Sequence, residues 1–418
     1  MKMRCMILLS VILLIMLVPL EPGAFAAFAP LPADLYLEGE LDGVPYLIRV
    51  PQNWNGTLLV YAHGYGEGVK PPALAPLPAV VQTLLDKGFA LAASRFAGSG
   101  WTVKEGMQNT VALTAAFRDM VGRPDRTIIW GKSMGGLMTL GLIEKFPGHY
   151  DGAVALCPPA SGTPRRFDQG LDIALAYKAA FGWESEWGTP GNIRDDLNFM
   201  TEVAPYIQPP ETPPAPPGEN YALWEFIRLV NRIPGDGYYA GNNRLITMYF
   251  AIGVRAELES RAGGAIAENI GRQYTLTDAE KAYLDGLDVN AVELLAEMNA
   301  ETVYASDRNA RNYAEHYVDP SGRIRRPVLT LHTKGDALAT PNNEGAYRDT
   351  IVQQGNSDLL MQQFTNGVAH CSFTTDQDIA GIDAMMDWLD TGIRPDPSVF
   401  FTPALGFVPG YVLESWPW

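Results

Sequence analysis

Short apolar runs and longer stretches of helical spacing take turns along much of this chain. Asp34 to Glu40 and Val44 to Val50 alternate polar and apolar residues around Leu41-Asp42-Gly43, which predicts a hairpin. Asn53-Trp54-Asn55-Gly56 reads as a turn, and Thr57 to Ala62 is a continuous apolar run of the kind buried on both faces of a parallel sheet. After a Pro-rich loop around Pro71 to Pro78, a helix is predicted over 79–87, stopped by Gly88, and then a strand from Phe89 to Ala93. Helical spacing returns from Val103 to Val121, followed by an apolar strand from Thr127 to Trp130, a helix from Gly136 to Lys145 and a strand from Ala153 to Leu156. Strands alternating with helices of this length imply right-handed crossovers and a parallel sheet.

From about Ala160 to Arg326 the alternation stops. The segment is helical and aromatic, with helices predicted over 171–181, 220–232, 243–260, 277–287 and 289–298; Thr277-Asp278-Ala279-Glu280 has capping-box spacing. The run from Pro209 to Pro217 reads as a stiff extended connector. The sheet pattern resumes from Pro327 to His332, then a helix over 343–353, a strand from Leu359 to Phe364 and a helix over 377–389. A tail rich in Pro, Phe and Trp after Ile393 is predicted to pack along the surface. The predicted class is therefore α/β: a mostly parallel sheet flanked by helices, built from residues 27–159 and 327–418, with a helical insertion over 160–326. Its place, directly after a strand neighbouring the turn described below, predicts a cap.

Composition narrows the setting. With 47% hydrophobic and 19% charged residues the chain is globular in type, and a net charge of −16 offers no basic stripe for nucleic acid or anionic lipid. Lys2 and Arg4, the apolar run from Met6 to Val18, the breakers Pro19, Pro22 and Gly23, and Ala24-Phe25-Ala26 together read as a signal peptide cleaved after Ala26. The alternative is an uncleaved anchor, for which the apolar run is short. No later stretch has spanning length without charge, so a soluble secreted or periplasmic protein is expected. Removal of the leader takes Cys5 with it and leaves Cys157 and Cys371, either as one disulfide or as two separate buried thiols.

The candidate chemistry starts at Gly131-Lys132-Ser133-Met134-Gly135, between an apolar strand and a helix. A strand, a G-x-S-x-G turn and a helix make a nucleophile elbow, which lifts a serine oxygen above the sheet and aims helix N-terminal amides at it. A phosphate-binding loop would need glycine five residues before the Gly-Lys pair, and Arg126 stands there. His63-Gly64-Tyr65-Gly66 follows the Thr57 strand directly, where a glycine-rich turn exposes amides for an oxyanion; Tyr65 and Met134 are the expected donors, and His63 is expected to order the loop. Asp336 sits in the loop after the Pro327 strand, on the side of the sheet where such folds place their sites. His370 follows the Leu359 strand, downstream of both Ser133 and Asp336, whereas His149 lies in a surface-type loop, His316 in the insertion and His332 within a strand. Serine, acid and histidine come in the chain order this architecture uses.

On these residues the chain resembles the α/β-hydrolase superfamily, over about Asp34 to Pro159 and Pro327 to Thr391. The resemblance implies exported serine esterases with a helical cap after the sixth strand, a Ser133-Asp336-His370 triad, an acyl-enzyme and no cofactor. His370-Cys371 is also similar to the tannase and feruloyl esterase group, where a cysteine after the histidine bridges one beside the nucleophile. Lys132 occupies that second position here; Cys157 is the substitute the resemblance suggests. No His-Glu-x-x-His or clustered-cysteine spacing points to a metal. The expected substrate is a small-molecule ester. A proline-type aminopeptidase of the same fold would need acids to hold an amine, with Glu184, Glu186 and Asp195 available; a non-catalytic binding protein on this scaffold is the remaining alternative.

Overall fold

The computed structural model describes residues 33–66, 72–208, 219–239 and 241–417. The leader and the Pro209–Pro217 connector lie outside them. Eight strands form one sheet: β1 (Leu35–Leu41), β2 (Val44–Val50), β3 (Thr57–Ala62), β4 (Ala90–Ser94), β5 (Arg126–Lys132), β6 (Gly152–Leu156), β7 (Val328–Thr333) and β8 (Leu360–Thr365). Their spatial order is β1-β2-β4-β3-β5-β6-β7-β8. The β1–β2 hairpin is antiparallel, as is the β2–β4 pair; every other neighbour runs parallel.

The reason for parallel packing is visible in burial. All residues of β3, β4, β6 and β7 are buried, because helices cover both faces. One face carries the helices Val103–Met120 and Met134–Lys145, whose Leu113, Phe117, Leu137 and Leu140 join Val60, Ile129 and Ala155 of the sheet in one cluster. The other face packs Pro78–Asp86 and Thr375–Thr391, with Leu84, Ile382 and Trp388 against Leu59, Trp130, Val154 and Leu331. Each such fully buried aliphatic or aromatic side chain contributes about 2 kcal/mol of transfer energy.

Between β6 and β7 the chain forms helices from Thr163–Phe181 through Arg308–His316. This insertion has its own core, in which Trp224, Phe226, Tyr238, Met248 and Tyr274 are buried. Its lower residues, among them Phe167, Phe250, Val254 and Ala310, belong instead to the cluster of the sheet. The insertion is therefore continuous with the sheet core. Its first helix begins at Thr163 rather than at the expected position 171, and the helix Arg308–His316 was not expected. Pro164 in the first turn of Thr163–Phe181 is the start signal that the charged pair Arg165-Arg166 obscured. Among the described residues no helix is long and apolar enough to cross a membrane.

The tail packs as expected. Phe400 and Phe407 are buried, Val408 N–H donates to the Phe364 carbonyl at the end of β8, and Tyr411 stacks on Phe364 at 4.4 Å.

Candidate active site

β5 ends at Lys132, the next helix starts at Met134, and Ser133 alone makes the corner, with φ 59° and ψ −123°. A left-handed serine is strained by of order 1–3 kcal/mol, and the surroundings hold it there. A Cβ on Gly135 would stand 2.0 Å from the Ala62 carbonyl oxygen, and one on Gly131 would stand 2.5 Å from that of Gly135. The two glycines let the corner nest against β3. Ser133 N–H donates to the Leu156 carbonyl (2.8 Å), which ties the corner to β6 as well.

Two loops at the same sheet edge meet Ser133. After β8, His370 points its Nε2 at Ser133 Oγ, 2.8 Å away, and its Nδ1 at Asp336 Oδ2, 2.7 Å away. Asp336, in the loop after β7, is fully buried. Its Oδ1 accepts from the amides of Leu338 and Ala339, both at 2.9 Å. Burial pushes the Asp336 carboxyl up, but the neighbouring His370, His332 and the amide donors outweigh it and hold the group below its ordinary value. Such a relay can draw the proton from a serine hydroxyl while the carboxylate fixes the imidazole tautomer.

After β3, a Cβ on Gly64 would meet Ser133 Cβ at 3.4 Å, so the backbone of the His63–Gly66 loop lies against the serine. Tyr65 follows and lines the same cavity. Met134, buried, opens the helix beyond Ser133. His63 faces two carbonyls, Nδ1 to Gly64 (2.7 Å) and Nε2 to Arg95 (2.9 Å), and stacks on Phe96 at 4.0 Å. It orders the loop, in line with the expectation.

Strand order, a strained serine between β5 and its helix, an acid after β7 and a histidine after β8 decide the architecture. The chain has the α/β-hydrolase fold. Here β1 and β2 form an antiparallel hairpin at one edge of an otherwise parallel sheet.

No family model matches the chain. It is similar to an o-phthalyl amidase from Xanthobacter agilis, 26% identical over 415 residues, covering 85% of this chain and 87% of that one. Among solved structures, an esterase from Aspergillus oryzae shares 13% identity with a TM-score of 0.42, covering 84% of this chain and 78% of that one. A Pyrococcus furiosus esterase shares 12% with a TM-score of 0.42, covering 87% and 91%.

Beside Ser133 and His370 lies an apolar cavity of about 100 Å³. Tyr65, Trp101, Tyr249, Phe250 and Val254 wall it, together with one charged residue, Arg166. Trp101 meets Phe167 and Phe250 edge-on at 5.0 and 5.8 Å, and the Tyr65 and Tyr249 hydroxyls are 3.2 Å apart. Cys157, at the end of β6, is bonded to Cys371, with Cα atoms 5.4 Å apart. Both are left-handed, φ 41° and 54°, so strain concentrates around the histidine loop. Cys157, His370 and Cys371 lie close enough to suggest metal ligands, but the two sulfurs are joined to one another.

Four residues of the site escape sequence reasoning. Glu344, fully buried, accepts from Thr330 Oγ1 (2.8 Å), Gln362 Nε2 (2.6 Å) and His332 Nδ1 (3.0 Å). His332 Nε2 then reaches the Ala339 carbonyl at 2.6 Å, so this network clamps the loop that carries Asp336. Both ring nitrogens of His332 face acceptors, and satisfying both requires the protonated ring. Burial lowers its pKa, but the Glu344 carboxylate raises it further, above the ordinary 6.5. Asp378 lies buried below Lys132 with Oδ1 unpartnered; burial pushes it up to about 7 against the pull of Lys132. Arg166 is the fourth. None of these sits in a motif, because each acts through a contact distant in sequence.

Proposed function

We propose that this chain is an exported serine hydrolase that cleaves carboxylic esters through an acyl-enzyme. Ser133 is the nucleophile, His370 the general base and then acid, and Asp336 the group that orients and stabilises the imidazolium. The amides of Tyr65 and Met134 receive the oxyanion of the tetrahedral intermediate. The observation that carries the reading is the continuous hydrogen-bond chain from Ser133 Oγ through His370 to Asp336, at 2.8 and 2.7 Å. The insertion acts as a cap: it supplies Arg166, Ile246, Tyr249, Phe250 and Val254 to the cavity wall. Export is supported by the leader pattern and by the bonded Cys157–Cys371 pair, which suits an oxidising compartment.

A second reading, amide cleavage, is favoured by the similarity to an o-phthalyl amidase. The same groups would serve, with His370 protonating a leaving amine. The aminopeptidase form of that reading lacks support. Glu184 and Glu186 line a separate surface cleft with Trp187 and Tyr206, Asp195 is exposed, and the charged group at the cavity is a cation.

The test is hydrolysis of p-nitrophenyl esters, acetate through decanoate, beside proline and alanine p-nitroanilides, for wild type and Ser133→Ala. Ester turnover should fall by about 10⁴ or more in the variant. Anilide turnover exceeding ester turnover would move the assignment to an amidase, and activity indifferent to Ser133→Ala would remove the serine mechanism.

A further inference from the structure

Among the described residues the insertion holds two fully buried arginines, one beside an acid and one without. Arg255 pairs with Glu259 at 3.5 Å, and the half-buried Arg272 and Arg311 pair with Asp172 and, at 2.7 Å, with Asp168. Arg166 is 1% exposed, yet among the described residues it has no ion-pair partner. Its Nη1 donates to Gln169 Oε1 (3.0 Å) and its Nη2 to the Leu338 carbonyl (2.7 Å), both neutral acceptors. The Phe250 ring stacks 3.8 Å from Cζ. A guanidinium has five N–H donors, so three are left uncommitted by these partners. Asp336, the acid whose charge it feels, has both oxygens engaged with His370 and two amides. Burial pushes Arg166 down to about 9, with Asp336 drawing it back, so it is charged at neutral pH.

Removing a lone guanidinium from water is unfavourable unless an anion or full hydrogen bonding meets it. Holding the Leu338 carbonyl would need only a neutral donor. The charge is placed on the wall of the cavity that also holds Ser133 and His370, and every other side chain named on that wall is uncharged in its ordinary form or belongs to the relay. A small cavity beside the nucleophile suits the part of a substrate that stays bonded to Ser133, since the leaving group must escape to solvent.

We propose that Arg166 docks a carboxylate borne by the acyl group, so that the preferred substrates are half-esters or half-amides of small dicarboxylic acids. This rests on the hydrolase reading and deepens it. A planar guanidinium takes a carboxylate through two parallel N–H bonds, and against a largely apolar, aromatic wall that pairing is strong and selective. The net charge of −16 repels such anions at long range, so selectivity comes from this one contact.

The experiment compares mono-p-nitrophenyl succinate, glutarate and adipate with their neutral isosteres, the 4-methylpentanoate, 5-methylhexanoate and 6-methylheptanoate, with spontaneous hydrolysis subtracted. Wild type should favour at least one charged ester by about tenfold or more in kcat/KM. Arg166→Met should lower the charged-to-neutral ratio by about thirtyfold, and Arg166→Lys should keep part of it. Both esters are read on the same sample, so a fraction of misfolded protein cancels from the ratio. A ratio unmoved in Arg166→Met, or a wild-type preference for the neutral ester at every length, overturns the proposal. Calorimetric titration of succinate, glutarate and adipate into Ser133→Ala, with and without Arg166→Met, decides independently of turnover. Binding lost with Arg166 supports the docking site, and no binding of any of the three overturns it. Failure of a fluorophosphonate to label Ser133 in the wild type would remove the hydrolase reading alone.

Discussion

Asp336 commits both of its oxygens, one to an imidazole and one to two backbone amides, and this double engagement sets what substitution there should do. Asp336→Asn keeps the shape but presents an amide to the ring; kcat on a p-nitrophenyl ester should fall by about 10⁴ with little change in thermal midpoint. A similar loss of midpoint and of rate would instead assign Asp336 to the fold. Behind it, His332 has its pKa raised by Glu344. The stability it lends is fully present below about its ordinary 6.5 and is lost as pH rises through the raised folded value. The thermal midpoint of the wild type should therefore decline on the alkaline side more steeply than that of His332→Gln. Asp378 adds to the same trend: with its carboxyl raised from the ordinary 3.8 to about 7, the folded state holds a proton that the unfolded chain gives up, so a stability cost builds between those two values and is complete above about 7. Asp378→Asn should raise the midpoint by on the order of 2 °C at pH 8 and little at pH 4. At this scale, Ser133, Asp336 and His370 were legible because each follows a strand. Glu344, His332 and Arg166 were not, because their meaning lies in partners on other elements.

At the scale of elements, alternation of apolar runs located every strand of the main sheet to within a residue or two, since burial on both faces leaves little sequence freedom. The insertion was less legible. Its helices pack on one another, so amphipathic spacing is diluted, and the helix predicted over 243–260 is interrupted by a π turn at Phe250–Val254. That turn presents Phe250 and Val254 to the cavity, where π turns often mark function. At its two glycines the elbow leaves no room for a side chain. Gly135→Ala would drive its Cβ to 2.0 Å from a backbone oxygen, and soluble yield or midpoint should collapse while Gly148→Ala, with open space around it, should not. Equal behaviour of the two variants would contradict the close nesting of elbow and β3.

For the whole molecule, the insertion shares Phe167, Phe250 and Val254 with the sheet core, and a Cβ on its Gly237 would fall 1.6 Å from the Gly335 carbonyl oxygen beside the acid loop. Insertion and sheet should melt in one transition; two separated calorimetric peaks would show independent units. Covalent closure adds to this. Cys157 and Cys371 are 214 residues apart, and a loop of that length gives an upper bound of about 5 kcal/mol of unfolded-state restriction. Cys157→Ser with Cys371→Ser should lower the midpoint by several degrees, measured against the wild type in oxidising buffer. The bond also closes a ring, because its two ends bracket the insertion and the acid loop. A protease that cuts the backbone once anywhere between those cysteines leaves a single covalent molecule, which runs whole on a non-reducing gel and splits in two once thiol is added. For the exported hydrolase proposed above, such a clip need not part Ser133 from His370.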